Sequence, residues 1–330
     1  MRTSSMVAGA VALGFVLVAV VAGPGVAVER TCHGDDLSVR DLSTGCRVTS
    51  GTLVLDDGRT FAVPAAGTMV TAAPVGSGDA DPGDVVVANR GASGVAVQVD
   101  EVWGGSTAAV RQERTAEQRR ALAATIGAPA TARGTTTAAS CGNASYKLTG
   151  SHWESTIRWR YNPSGAKVSN VTALQSGAKA WTGTISACGQ TVESTAEQEY
   201  LGTTKQAPAV TQSGGCGTSN RASVAGWGKL PKTTLAVTCI WSTTNGVAIE
   251  TDQRYSTAHL WGSTSKCSGN RFDLRGIATH EWGHAYGLAH SEQRYGLVMK
   301  PSSPVCDTAQ RTLGLGDLRG IAALYRASTR

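Results

Sequence analysis

The chain has 330 residues, room for one domain of ordinary size plus a smaller one around a sizeable core. Apolar residues make up 41%, but 40 glycines and only 16% charged residues indicate many turns and long loops. The net charge is +6 and no run of five or more Lys/Arg occurs, which excludes a nucleic-acid-binding role of the basic-patch kind.

The N-terminus carries Arg2, an apolar run from Met6 to Ala22, and small residues at Gly25 and Ala27. That is the order of a secretory signal peptide over residues 1–27 with cleavage after Ala27, and it predicts a secreted protein with no stable membrane association afterwards. An uncleaved anchor is the rival, since the run lies at the lower limit for spanning a bilayer. Eight cysteines in an exported chain, none in a C-x-x-C pair, read as disulfides rather than metal ligands. Spacing leaves many connectivities open; the working expectation pairs sequence neighbours, Cys32 with Cys46, Cys141 with Cys188, Cys216 with Cys239, and Cys267 with Cys306.

Residues 28–126 read as a small β-rich module. Thr52-Leu53-Val54-Leu55 and Phe61-Ala62-Val63 flank Asp57-Gly58, a hairpin turn pair, and the valine runs 85–87 and 95–99 continue the pattern. Thr115 to Gln118 has capping-box form ahead of a short helix over Arg119 to Ile126. Residues 127–140, rich in Ala, Thr and Gly, read as a linker.

Residues 141–330 behave as one α/β unit. Thr156 to Tyr161 alternates as a strand does, and Val168 to Trp181 places Val171, Leu174, Ala178 and Trp181 near helical spacing. Thr234 to Trp241 and Val247 to Asp252 are two further strands joined at Asn245-Gly246. A helix is expected from an N-cap at Asn270 or Asp273 to about Ala285, with Leu274, Ile277, Ala278 and Ala285 toward the sheet.

That helix contains the most informative stretch of the chain. His280 to His290 reads H-E-x-x-H-x-x-G-x-x-H. Residues four apart share a helix face, so His280 and His284 can converge on one ion. Gly287 can end the helix with a left-handed residue and turn the chain back, bringing His290 in as a third ligand. Three protein ligands leave an open position, which is the pattern of a catalytic zinc, and Glu281 lies within reach of a water there.

This constellation resembles the metzincin metalloproteases, and the residues after it resemble the matrixin branch. Ser291 follows the third histidine, Tyr295 to Pro301 supplies Met299 for a methionine turn beneath the site, and Asp317 to Tyr325 is similar to the closing helix. The resemblance implies a twisted mixed sheet with an active-site helix and a C-terminal helix. It also implies one catalytic zinc on His280, His284 and His290, supported by Gly287 and Met299. Hydrolysis of internal peptide bonds by a zinc-bound water follows, with Glu281 as general base. The strand containing Leu235, Ala236, Val237 and Thr238 resembles the edge strand to which a peptide substrate adds through main-chain hydrogen bonds. The histidines of a second, structural zinc are missing, and calcium is left open around Glu250 and Asp252. Matrixin propeptides plug the metal with a cysteine in a Pro-Arg-Cys-Gly-type motif; this chain has no such motif, and Cys141-Gly142 is only a faint echo of it. Snapalysin-type proteases place Asp where this chain has His290, which favours the matrixin-like branch. The expected partner is a peptide or protein substrate and the expected state a monomer. Two other readings remain: a proteolytically silent zinc-binding extracellular or cell-wall-binding protein, and a cell-wall amide hydrolase.

Overall fold

A computed structural model describes residues 31–32, 35–44, 46–48, 50–126, 139–168, 171–263 and 267–327. The signal-peptide segment and most of the expected linker lie outside the described residues. Among the described residues no helix is long and apolar enough to cross a membrane, a statement that does not bear on β-barrels. All eight cysteines pair as sequence neighbours: 32–46, 141–188, 216–239 and 267–306.

One mixed sheet organises the molecule. In chain order its strands are β1 (Thr68–Ser77), β2 (Val85–Asn89), β3 (Val95–Val99), β4 (Val102–Gly105), β5 (Ile157–Asn162), β6 (Gln198–Thr203), β7 (Ser223–Gly228), β8 (Thr234–Thr243), β9 (Ala248–Ser256) and the short β10 (Ser302–Ser303). Their lateral order is β6-β5-β7-β9-β8-β1-β2-β3-β4, with β10 added beside β1. The β6, β5, β7 and β9 pairings are parallel, and every pairing from β9–β8 to β3–β4 is antiparallel. Helices α1 (Thr107–Ile126), α2 (Val171–Lys179), α3 (Leu274–Ala285) and α4 (Leu315–Tyr325) complete the frame. The expected α/β architecture, with its active-site helix and C-terminal helix, is present.

Two expectations change. The first helix starts at Thr107, well before Arg119, because residues 107–118 are rich in Ala, Arg, Gln and Glu and propagate a helix directly from the end of β4. Thr115, expected as a cap, donates instead to the Arg111 carbonyl inside the helix. The second change is larger: β1 to β4 are not a separate sheet but continue the one that carries β8. The expected free edge at Leu235, Ala236, Val237 and Thr238 therefore does not exist in this chain, since β1 pairs with β8 from Thr68↔Thr243 to Gly76↔Thr234.

The sheet separates two cores. One is rich in aromatics and lies between the sheet and α2, α3 and α4; it contains Trp159, Trp181, Trp282 and Tyr255. Trp159 meets Trp282 edge-on at 5.1 Å, and Trp181 donates from its indole nitrogen to the Thr279 carbonyl at 2.8 Å, which fixes α3 over the sheet. The other core is valine-rich. It joins Val70, Ala72, Val85 and Val97 to Val237, Cys239 and Trp241, and is roofed by Leu42, Leu53 and Phe61.

Candidate zinc centre

Helix α3 positions the site from a firmly held start. Asp273 caps it by accepting from Gly276 N–H at 3.1 Å, and Arg311 grips both carboxylate oxygens at 2.6 Å. The helix ends at Ala285, and Gly287 takes φ +106° while donating its N–H to the His284 carbonyl. A side chain on Gly287 would also put its Cβ 2.1 Å from the Ser151 carbonyl oxygen, so both conformation and space require glycine there.

The turn brings the three imidazoles together. The Nε2 atoms of His280 and His284 are 2.9 Å apart, and each is 3.2 Å from Nε2 of His290. His280 donates from Nδ1 to the Val298 carbonyl at 2.7 Å, and His284 from Nδ1 to the Leu288 carbonyl at 2.8 Å. Protons placed on Nδ1 leave the Nε2 lone pairs facing one another, an arrangement that a cation held between them would stabilise. A tetrahedral zinc with bonds of about 2.0–2.1 Å separates its nitrogen ligands by roughly 3.3 Å, close to the observed triangle. Burial lowers the pKa of His280 well below its usual value and pushes that of His284 down to about 3, with the neighbouring imidazoles adding to both effects. Both rings are therefore neutral, as ligands must be.

Glu281 is fully buried beside this triangle. Its Oε2 accepts from the Thr238 hydroxyl at 2.5 Å, while Oε1 has no hydrogen-bond partner. Burial raises its pKa well above the ordinary carboxyl value. A buried oxygen left unpartnered next to three converging nitrogens is the kind of exception that points to a missing group rather than to packing.

Met299 lies under the helix, 2% exposed. Gly283 makes room for it, since a Cβ there would sit 2.2 Å from Met299 Sδ and 2.7 Å from the Trp181 ring. The turn around Met299 is pinned from α4: Asp317 accepts from Val298 N–H at 2.9 Å, Met299 N–H at 3.2 Å and Gly314 N–H at 2.8 Å. The family resemblance marks Met299 but does not assign these roles to Gly283 and Asp317.

A further residue comes from the N-terminal part. Asp84, at the end of the β1–β2 loop, places Oδ1 3.0 Å from His290 Nδ1. The contact is an ion-pair approach rather than an aligned hydrogen bond, since that oxygen otherwise has no partner. Burial alone would lower the His290 pKa, but the Asp84 charge outweighs it and the shift is upward. A carboxylate on the far nitrogen of a ligand histidine fixes its tautomer and raises its basicity. No local signal in the Asp/Gly-rich stretch 78–84 announces this; only the sheet brings it to His290.

Three of the four carboxylate oxygens of Glu250 and Asp252 accept from the chain itself, and Glu250 Oε1 has no hydrogen-bond partner. Glu250 Oε2 accepts from the Ser219 hydroxyl at 2.5 Å and from Asn220 and Arg221 N–H at 2.9 and 2.6 Å. Asp252 accepts from Ala209 N–H at 2.5 Å and Val224 N–H at 2.6 Å. The two acids anchor the loop between β6 and β7, and the expectation of calcium there finds no support.

Comparison with known proteins covers the same end of the chain. Residues 231–326 match the matrixin peptidase family model. Human neutrophil collagenase is 33% identical over 84 residues, a match that takes in 26% of this chain and 17% of the length of that protein. The C-terminal part of the chain is matrixin-like in both sequence and fold.

Proposed function

We propose that this chain, matrixin-like over residues 231–326, is a secreted zinc-dependent endopeptidase whose catalytic unit is residues 141–330. The observation that carries the reading is the Nε2 triangle of His280, His284 and His290 with the unpartnered Oε1 of Glu281 beside it. These residues fit one zinc; when bound it would polarise a scissile carbonyl and acidify a water.

The protein's own groups supply the rest. The Val298 and Leu288 carbonyls hold the two helical imidazoles with Nε2 inward. Asp84 does the same for His290. Thr238 holds one Glu281 oxygen and leaves the other to take a proton from water and return it to the departing amine. Four disulfides suit an oxidising, extracellular setting.

The test is zinc stoichiometry of the folded protein together with cleavage of a denatured protein with and without a chelator. Because the matched human protein is named as a collagenase, denatured collagen is a suitable probe. One zinc per chain and chelator-sensitive cleavage are expected. A folded chain that binds no zinc overturns the reading.

A further inference from the structure

The two imidazoles on α3 are held by the same device, built in different ways. Each gives its Nδ1 proton to a main-chain carbonyl, His284 to Leu288 and His280 to Val298. The Leu288 carbonyl is four residues from His284, in the turn that ends α3, so the local fold aims it. The Val298 carbonyl is eighteen residues from His280, in the methionine turn, and needs other contacts to aim it.

One of those contacts is a buried side chain from outside the turn. Gln310, 1% exposed, donates from Nε2 to the same Val298 oxygen at 3.1 Å, and its Oε1 accepts from the Ser303 hydroxyl at 2.6 Å. A carbonyl oxygen can only accept, and it has two lone pairs. The end of the carboxamide that faces it must therefore be the NH₂, which leaves Oε1 for Ser303 and gives the amide a single orientation. His280 and Gln310 together occupy the Val298 oxygen and fix the direction from which it receives the imidazole proton.

Gln310 is itself firmly placed. It sits in a one-turn helix, Thr308–Arg311, that Asp307 caps by accepting from Ala309 N–H at 3.1 Å. The other Asp307 oxygen pairs with Lys300, the residue after Met299. On the far side Arg311 grips Asp273 at the start of α3. Gly276 lets this turn close on the helix, since a Cβ there would lie 3.0 Å from the Asp307 carbonyl oxygen and 3.2 Å from Gln310 Cβ. Ser303 is 2% exposed and belongs to β10, so the carboxamide joins strand, methionine turn and ligand in one buried path. An amide in such a place costs desolvation at both ends, which only matched partners offset. What it adds over an apolar side chain of the same length is direction.

Resting on the zinc reading of the site, we propose that Gln310 is a positioning residue for the metal: through the Val298 carbonyl it holds the Nδ1 proton of His280, and with it the aim of Nε2, while His284 is held without it. Its effect reaches the ion only through His280.

The test uses the full chain loaded with one zinc. Gln310→Met keeps the length and fills the space but removes both the donor to Val298 and the acceptor for Ser303. Two quantities are read: release of zinc into excess chelator, and exchange of the His280 and His284 Nδ1 protons with water, followed by proton–nitrogen NMR. Zinc should leave about tenfold faster, the lower end of what loss of an outer-shell partner costs. The His280 proton should exchange at least about tenfold faster while the His284 proton, held by Leu288, keeps its rate. If the Met variant does not fold, Ser303→Ala, which frees the Oε1 end and keeps the donor, should give the same pattern at smaller size. Equal acceleration of both protons, or of neither, makes Gln310 a packing residue and overturns the inference while the zinc reading stands. Unchanged zinc release beside a faster His280 proton also overturns it, since the carbonyl would then not set the aim of the ligand. Failure of the unvaried, folded chain to take up zinc overturns the zinc reading and this inference with it.

Discussion

Glu281 and the Glu250–Asp252 pair are equally withdrawn from solvent, but their oxygens are engaged differently. Asp252 has a backbone N–H on each oxygen, and Glu250 gathers three donors on Oε2 and none on Oε1. Glu281 has one hydroxyl on Oε2 and nothing on Oε1, beside three imidazoles whose lone pairs converge. Burial of an acid is thus common to both regions and diagnostic of neither. An unpartnered oxygen is likewise common to Glu250 and Glu281; what sets Glu281 apart is its place beside three converging imidazole nitrogens, the setting in which the proposed function makes it a proton acceptor.

The largest effect that could break this contrast is on turnover. Glu281→Gln should retain zinc and its melting temperature yet lose at least about a hundredfold in kcat, because it removes a proton acceptor and little else. Metal analysis beside single-substrate kinetics measures both; near-full activity would make Glu281 another anchor. Next comes the metal. Asp84→Ala takes the carboxylate from His290 and should weaken zinc binding by roughly 10–100-fold in competition with a chelator. Unchanged affinity would mean the N-terminal strands do not support the metal. Smaller again, Asp252→Asn sets a side-chain NH₂ against a backbone N–H and should cost about 1–3 kcal/mol in denaturant unfolding. The same variant should leave zinc affinity alone.

The site was legible where its chemistry is local. The interval His280 to His290 lies on one helix and one turn, so spacing marks the three histidines, Glu281 and Gly287 that the structure brings together, while Met299 comes from the family resemblance. The α/β frame was legible through alternation and helical spacing, with the helix cap, left between Asn270 and Asp273, falling at Asp273. What the sequence hid depends on contacts between distant segments. Asp84 reaches His290 only because β1 docks on β8, and a valine-rich run looks the same whether it forms its own sheet or extends another. The sequence leaves calcium open around Glu250 and Asp252 because their partners, Ala209, Ser219, Asn220 and Arg221 on a loop with no periodicity and Val224 at the start of β7, are distant in sequence.

The finest test of the anchor is its response to pH. Burial raises the Asp252 pKa from 3.8 to about 8, with the Glu250 charge adding to it and the Ala209 and Val224 N–H groups opposing it. The folded protein therefore holds a proton that the unfolded chain has already released between about pH 4 and pH 8. More protons bound in the folded state means that stability falls as pH rises through this window. The amide introduced by Asp252→Asn cannot titrate, whereas the other raised acids, Asp100, Glu250, Glu281 and Asp317, are present in both proteins and largely cancel in the difference. The stability gap between the unvaried protein and Asp252→Asn should accordingly be wider at pH 5 than at pH 8, as read by denaturant unfolding at the two values. A gap that widens with pH would mean the two short N–H contacts hold Asp252 charged against its burial. The anchor would then act as an anion site built from backbone donors, further from Glu281 than its burial suggests.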